Sequence, residues 1–180
     1  MRPLTVRTSR VLAFVISFAC TRSPSAFAGD ASDEAREEFL LGVARVKEAQ
    51  WAQALAHFER SQAKRKHPVT SFNVGLCHRA VGHYVLATRA FEEALRVTER
   101  PLTEAQRAHV EDLAARARVY VSSVVVRVTP FDAIVRIDGA EVSLDVDGRA
   151  VLDPGPHTFS FEHEGHRPQA IEVQLEPGTD

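Results

Sequence analysis

From Ser32 to Thr98 the apolar residues return at helical spacing, and they do so twice in the same order. Gly42, Trp51, Ala54 and Phe58 recur as Gly75, Tyr84, Ala87 and Phe91, each one 33 residues further on (Gly42 to Gly75). A fixed period in this range is the mark of a stacked structural repeat. The first copy opens on Asp33, Glu34, Glu37 and Glu38, acids that favour a helix N-terminus. Phe39, Leu40, Val43 and Val46 carry its apolar stripe to a turn near Ala49-Gln50. A second helix is expected over about 51–63, closed by the cations Lys64, Arg65, Lys66 and His67, which suit a helix C-terminus. The second hairpin runs from about Thr70 to Thr98 with its turn at Gly82. Small residues at 42/75 and 54/87 allow two antiparallel helices to approach closely, and the aromatics at 51/84 and 58/91 are expected to fill the space between hairpins. Thr103 with Gln106 three residues later opens a fifth helix, whose stripe is Val110, Leu113, Ala114 and Ala117. Two repeats alone bury little apolar surface, so this helix is read as the cover of the array.

Around Val119 the period changes to two. Val124, Val126 and Val128 alternate with polar or outward positions, and so do Val135 and Ile137, Phe159 and Phe161, and Ile171, Val173 and Leu175. Asp138-Gly139, Asp147-Gly148, Pro154-Gly155, Gly165 and Pro177-Gly178 punctuate them. Short alternating runs between turn residues argue for an antiparallel sandwich or barrel. The fold class is therefore α+β in two parts, helical hairpins followed by a small antiparallel β-sandwich.

The helical half resembles the tetratricopeptide repeat, with its small residue late in the first helix, aromatic at the turn, alanine and aromatic in the second helix, and a proline after it; Pro68 and Pro101 stand 33 apart. The second half resembles the PEGA domain, a small β-module of cell-envelope proteins. Its name-giving turn would be Pro130-Phe131-Asp132-Ala133, followed by Val135-Arg136-Ile137-Asp138-Gly139, by Leu152-Asp153-Pro154-Gly155-Pro156-His157 for the family's Leu-x-Pro-Gly-x-His turn, and by Glu164-Gly165-His166. The sequence departs from that family at Phe131-Asp132, where Glu-Gly is usual, and at His166, where tyrosine is. The two resemblances imply an exported bacterial-envelope scaffold, with no catalytic residue to carry over. The family usually continues past the turn matching Pro177-Gly178 into one more strand, so self-association through the C-terminal β-edge, or docking of that edge onto the helices, is expected.

The N-terminus adds a destination. Arg2, Arg7 and Arg10 precede the apolar run from Val11 to Ala19, and Ala26-Phe27-Ala28 forms a small-x-small cleavage site before Gly29. Residues 1–28 thus read as a cleavable signal peptide, with 29–119 as helical repeats plus capping helix and 120–180 as the β-domain. The apolar run is shorter than the roughly 20 residues a bilayer-spanning helix needs, and no transmembrane segment is expected later in the chain. A periplasmic or secreted location follows. Loss of the four arginines of 1–28 takes the net charge from −2 to −6, which argues against nucleic acid as a partner. Cys77 is the one cysteine left after cleavage, in a helix beside Gly75 and Leu76, where a buried thiol is expected.

Candidate chemistry changes this picture little. His157, His163 and His166 share one β-segment, but a zinc site needs three or four converging ligands, and His157 belongs to the turn signature. Asp145-Val146-Asp147-Gly148 lacks the distal ligands of a calcium loop and reads as a β-turn. No phosphate loop, nucleophile elbow or zinc-protease motif occurs. Neither enzyme, metal nor cofactor is expected; the competing class is a histidine-dependent metal hydrolase. In tetratricopeptide arrays the first helix of each hairpin lines a concave groove, which here places Arg36, Phe39, Val43 and Val46 from the first copy and Val69, Phe72, Leu76 and Arg79 from the second. Apolar side chains in such a groove fit a hydrophobic peptide or an internal cover. The resulting reading is a non-enzymatic scaffold binding a protein or peptide partner through this groove. A β-module that anchors to envelope glycan is the alternative, against which stands the lack of an obvious exposed aromatic platform.

Overall fold

The computed structural model describes residues 29–144 and 146–179. Five α-helices precede six short β-strands among the described residues. The helices are α1 (Gly29–Lys47), α2 (Trp51–Lys64), α3 (Pro68–Ala80), α4 (Tyr84–Arg96) and α5 (Glu104–Arg118). The chain divides into two compact units, one ending at Arg65 and one spanning Lys66–Asp180. The division thus falls between the two helical hairpins, whereas the change from helix to strand lies at 119–122 inside the second unit. The signal-peptide segment and Asp145 lie outside the described residues.

In the first unit α1 and α2 form a hairpin closed by an aromatic ring laid on a glycine. A Cβ at Gly42 would stand 2.7 Å from the Phe58 ring, so the ring occupies the space that any side chain there would need. Phe58 is fully buried and meets Phe39 at 5.4 Å between ring centroids. Ser61 donates to the Ala35 carbonyl at 2.7 Å, tying the far end. The cations closing α2 return to α1: Lys64 pairs with Glu34, and Arg65 donates to Ser32 Oγ at 2.8 Å.

The second unit repeats the device 33 residues on. A Cβ at Gly75 would meet the Phe91 ring at 2.6 Å, and Phe91 meets Phe72 at 6.1 Å. Phe58 and Phe91 therefore fill their own hairpins, a correction to the expectation that they pack between hairpins; glycine removes the volume within the pair, so that is where the ring goes. The turns match too. Ala49 and Gly82 are 33 apart and both left-handed, at φ 56° and 86°. Nothing lies within 4 Å of a Cβ at Gly82, so conformation alone decides its substitution. Gly82→Ala should cost about 1 kcal/mol and Ala49→Gly should gain a comparable amount. Denaturant midpoints of the two variants moving in the same direction would contradict this.

The fifth helix forms as its sequence dictates. Thr103 Oγ1 accepts from Gln106 N and the Gln106 side chain accepts from Thr103 N (2.9 Å), completing the capping box. Val110, Leu113, Ala114 and Ala117 are its buried residues, packed on α4, and His109 meets the Phe72 ring at 5.9 Å.

Beyond α5, β1 (Ser122–Val125) pairs with β4 (Arg149–Leu152) as one sheet. The other sheet has the order β3-β2-β5-β6, with β2 (Ile134–Ile137), β3 (Ala140–Glu141), β5 (Gly155–Glu162) and β6 (Gln169–Leu175), all antiparallel. Val126, Val135, Ile137 and Phe159 form the buried centre, with Val124, Ala150 and Leu152 from the smaller sheet and Phe161 and Val173 from the larger packed around it. These are the inward positions of the alternating pattern. β6 ends the larger sheet, and after it Thr179 returns to accept from Ser123 N at 2.8 Å.

Candidate functional site

The eight residues placed in a groove by sequence divide by burial. On α1, Arg36 is exposed and Phe39 half-buried, while Val43 and Val46 are buried. On α3, Val69 and Phe72 are buried, and Leu76 and Arg79 are half-buried. Of the two roles open to these apolar side chains, internal cover is the one that Phe72 takes, since its ring is 2% exposed against Phe91 and His109. What α1 offers to solvent instead is Arg36 with Leu40 (55% exposed) and Leu41. Beside it Glu38 accepts from Arg60 Nε at 3.1 Å and pairs with His57 Nδ1 at 2.7 Å; the His57 hydrogen bond, against a smaller cost of burial, holds the Glu38 carboxyl below its usual range.

A second constellation joins the β-strands to a helix within the second unit. α4 lacks a capping side chain of its own, because His83 stands at its N-cap without a side-chain hydrogen bond. Asp153 supplies one from the Leu152-to-His157 turn, its Oδ1 accepting from Val85 N at 2.7 Å. A carboxylate at a helix N-terminus answers both the orphan donor and the helix dipole, typically for about 1 kcal/mol. Tyr84, at the start of the same helix, stacks on Tyr120 with ring centroids 4.7 Å apart. His157 secures the turn from the other side. Its Nδ1 lies 2.6 Å from Asp138 Oδ2 and its Nε2 is 2.8 Å from the Asp153 carbonyl, while Asp138 Oδ1 accepts from Thr158 N at 2.9 Å.

The electrostatics of this pair give a sign to its pH dependence. Burial works against the His157 cation, but the Asp138 carboxylate and the Asp153 carbonyl outweigh it and raise its pKa above the ordinary 6.5. Burial likewise opposes the Asp138 anion, and the Thr158 amide and His157 overcome it, lowering its pKa below the ordinary 3.8. A raised histidine stabilises fully below its unfolded value and loses that stabilisation as pH rises through the folded one. A lowered aspartate stabilises above its unfolded value and loses it as pH falls through the folded one. Wild type should therefore exceed His157→Gln in stability by most between about pH 3.8 and 6.5. The gap should shrink as pH rises through the raised His157 value, and a gap that is flat across urea titrations would contradict the pairing.

The remaining histidines of this segment lie apart from His157, at the far end of β5. His163 Nε2 is 3.1 Å from Asp132 Oδ1, and His163 Nδ1 is 3.1 Å from His166 Nδ1. Among the described residues no three His, Cys, Asp or Glu side chains gather as a metal set. Asp132 and His163 line a surface cleft with Ile134, Glu162, Glu164 and Pro168, and Phe131, next in sequence to Asp132, is 92% exposed. That exposed ring corrects the expectation that the β-part carries no aromatic platform: Phe131 sits in the turn before β2, where no sheet covers it.

Sequence reading missed the Asp153 cap and the Phe131 exposure. The first had a signal, since Gly82-His83 before Tyr84 is a poor start for a helix and asks for a cap from elsewhere. Cys77 is buried. Among the described residues no helix is long and apolar enough to cross a membrane. No family model, no curated protein and no solved structure matches the chain.

Proposed function

We propose that the protein is an exported, non-enzymatic scaffold of the bacterial cell envelope, built from tetratricopeptide-like hairpins and a PEGA-like β-module, and that the hairpins engage a protein or peptide partner. The observation that carries this reading is the ring-on-glycine closure found at Gly42/Phe58 and again 33 residues on at Gly75/Phe91, with left-handed turns at the same interval. Repetition of that kind yields an extended surface rather than a reaction centre. The PEGA-like part of the reading draws support from the meeting of its signature residues, Asp138 of the Asp-Gly turn with His157 of the Leu-x-Pro-Gly-x-His turn, at 2.6 Å. Taken separately, the first unit leaves Arg36, Leu40 and Leu41 exposed on α1, and the second leaves Leu76 and Arg79 half-buried on α3.

Photocrosslinking residues placed at Leu40, Leu76 and, as a control on the β-part, Val146 test the proposal in intact cells. The reading expects one discrete adduct in the envelope fraction from the helical positions and none from Val146. Equal adducts at all positions, or none at either helical position, would overturn it. Terminal sequencing of the exported pool should start at Gly29, and a pool retaining residues 1–28 would remove the export part.

A glycan-anchoring role for the β-module is the second reading, favoured by the exposed ring of Phe131, next in sequence to Asp132, which lines a cleft with Glu162 and Glu164 whose carboxylates can accept from sugar hydroxyls. Co-sedimentation with purified peptidoglycan that is lost on Phe131→Ala would favour it over the helical surface.

A further inference from the structure

We infer that the His163-Glu164-Gly165-His166 turn is a two-imidazole binding site for a divalent transition-metal ion of the copper and zinc class. The turn closes through His166 N donating to the His163 carbonyl at 3.1 Å, which brings both side chains to one side of it. Their Nδ1 atoms stand 3.1 Å apart, with rings inclined at 74°. Two nitrogens each bound at about 2.0–2.1 Å to one tetrahedral ion stand roughly 3.4 Å apart, so the pair needs only a few tenths of an ångström of opening.

The partner on the opposite side of His163 strengthens the assignment. Asp132 Oδ1 lies 3.1 Å from His163 Nε2, so the carboxylate accepts a hydrogen bond from Nε2–H and leaves Nδ1 with its lone pair toward His166. A carboxylate behind an imidazole is the arrangement that orients metal-ligating histidines. His166 Nδ1 also stands 3.2 Å from the Glu164 carbonyl, and its proton there is shared between that oxygen and His163. Ion binding moves this proton to His166 Nε2 by exchange with water. Of the other carboxylates at this end of β5, Glu162 is held by Arg136 at 2.7 Å and Glu164 belongs to the turn itself. With no third side-chain ligand gathered among the described residues, water or a donor from a second molecule completes the shell. The site is accordingly an exchangeable one, distinct from a closed structural zinc centre.

The test is a Cu(II) titration of the full mature chain, read by calorimetry and by electron paramagnetic resonance, since copper binds such nitrogen sites most tightly among the divalent ions. One ion should bind with the hyperfine pattern of two imidazole nitrogens, and Cu(II) should displace Zn(II) loaded there first. His163→Ala or His166→Ala should weaken binding at least about tenfold and remove the two-nitrogen signal. Asp132→Asn should weaken it about tenfold while keeping that signal, the effect expected of an orienting carboxylate. Unchanged circular dichroism in each variant separates these losses from unfolding. A wild-type chain without a two-nitrogen signal, or a double variant H163A/H166A that keeps wild-type affinity and spectrum, would overturn the assignment.

Discussion

Phe72→Ser should lower the stability of the protein by about 3–5 kcal/mol, the usual cost of removing a buried aromatic ring. The ring is 2% exposed, contacts Phe91 and His109, and belongs to a helix of which ten residues from Pro68 to His78 are buried. Serine would leave both a cavity and a hydroxyl without water around it, and the two costs act in the same direction. The urea midpoint should fall with little change in slope. Phe39→Ser, at the matching position of the first hairpin, should cost less because Phe39 is half-buried. A Phe72→Ser protein that keeps its midpoint within about 1 kcal/mol and loses only partner binding would return this ring to the surface.

The second large effect is expected in the strands. Gly148 has φ 70°, and a Cβ there would stand 2.4 Å from the Val126 carbonyl oxygen. Unlike a ring, that oxygen is backbone and cannot turn aside; Val126 N also donates to the Gly148 carbonyl at 2.7 Å. Gly148→Ala therefore adds a left-handed penalty of about 1–2 kcal/mol to an overpacking cost of about 1–3 kcal/mol. Val126 belongs to the buried centre of the β-part, so the strain reaches the core both sheets share. We expect a loss of about 2–5 kcal/mol, checked by denaturant titration. A change below about 0.5 kcal/mol would mean that the Asp147-Gly148 turn relaxes freely and does not fix the strands.

How far the sequence speaks depends on whether a feature is local. The capping box at Thr103 and the stripe of α5 were legible because neighbours in sequence create them. The matched glycines and phenylalanines were legible because they recur at one interval. The direction of Phe72 was not, since periodicity marks a face as apolar without saying whether solvent or another helix lies on it. β4 was unmarked because its apolar residues Ala150, Val151 and Leu152 run consecutively, so the inward turn of Ala150 and Leu152 leaves no alternation to read. β1 stops at Val125 although the alternation continues to Val128. The Asp153 cap joins residues 68 apart, beyond any local pattern. Of the site itself, the turn residue His157 was foreseen, but its pairing with Asp138 needed the register of β2 against β5.

The central claim is that the two hairpins are copies of one unit, each closed by a phenylalanine ring laid on a glycine, and parallel double-mutant cycles test it most directly. In a helix interior Gly→Ala should gain about 1 kcal/mol from propensity alone. At Gly75 a Cβ would sit 2.6 Å from the fully buried Phe91 ring, and at Gly42 2.7 Å from Phe58, so the clash should win and both single variants should be destabilised. Shortening the ring should then let the alanine fit. Gly75→Ala with Phe91→Leu, and Gly42→Ala with Phe58→Leu, should each show a favourable coupling of about 1–2 kcal/mol, alike in sign and size. Couplings near zero, or of opposite sign in the two cycles, would contradict the claim.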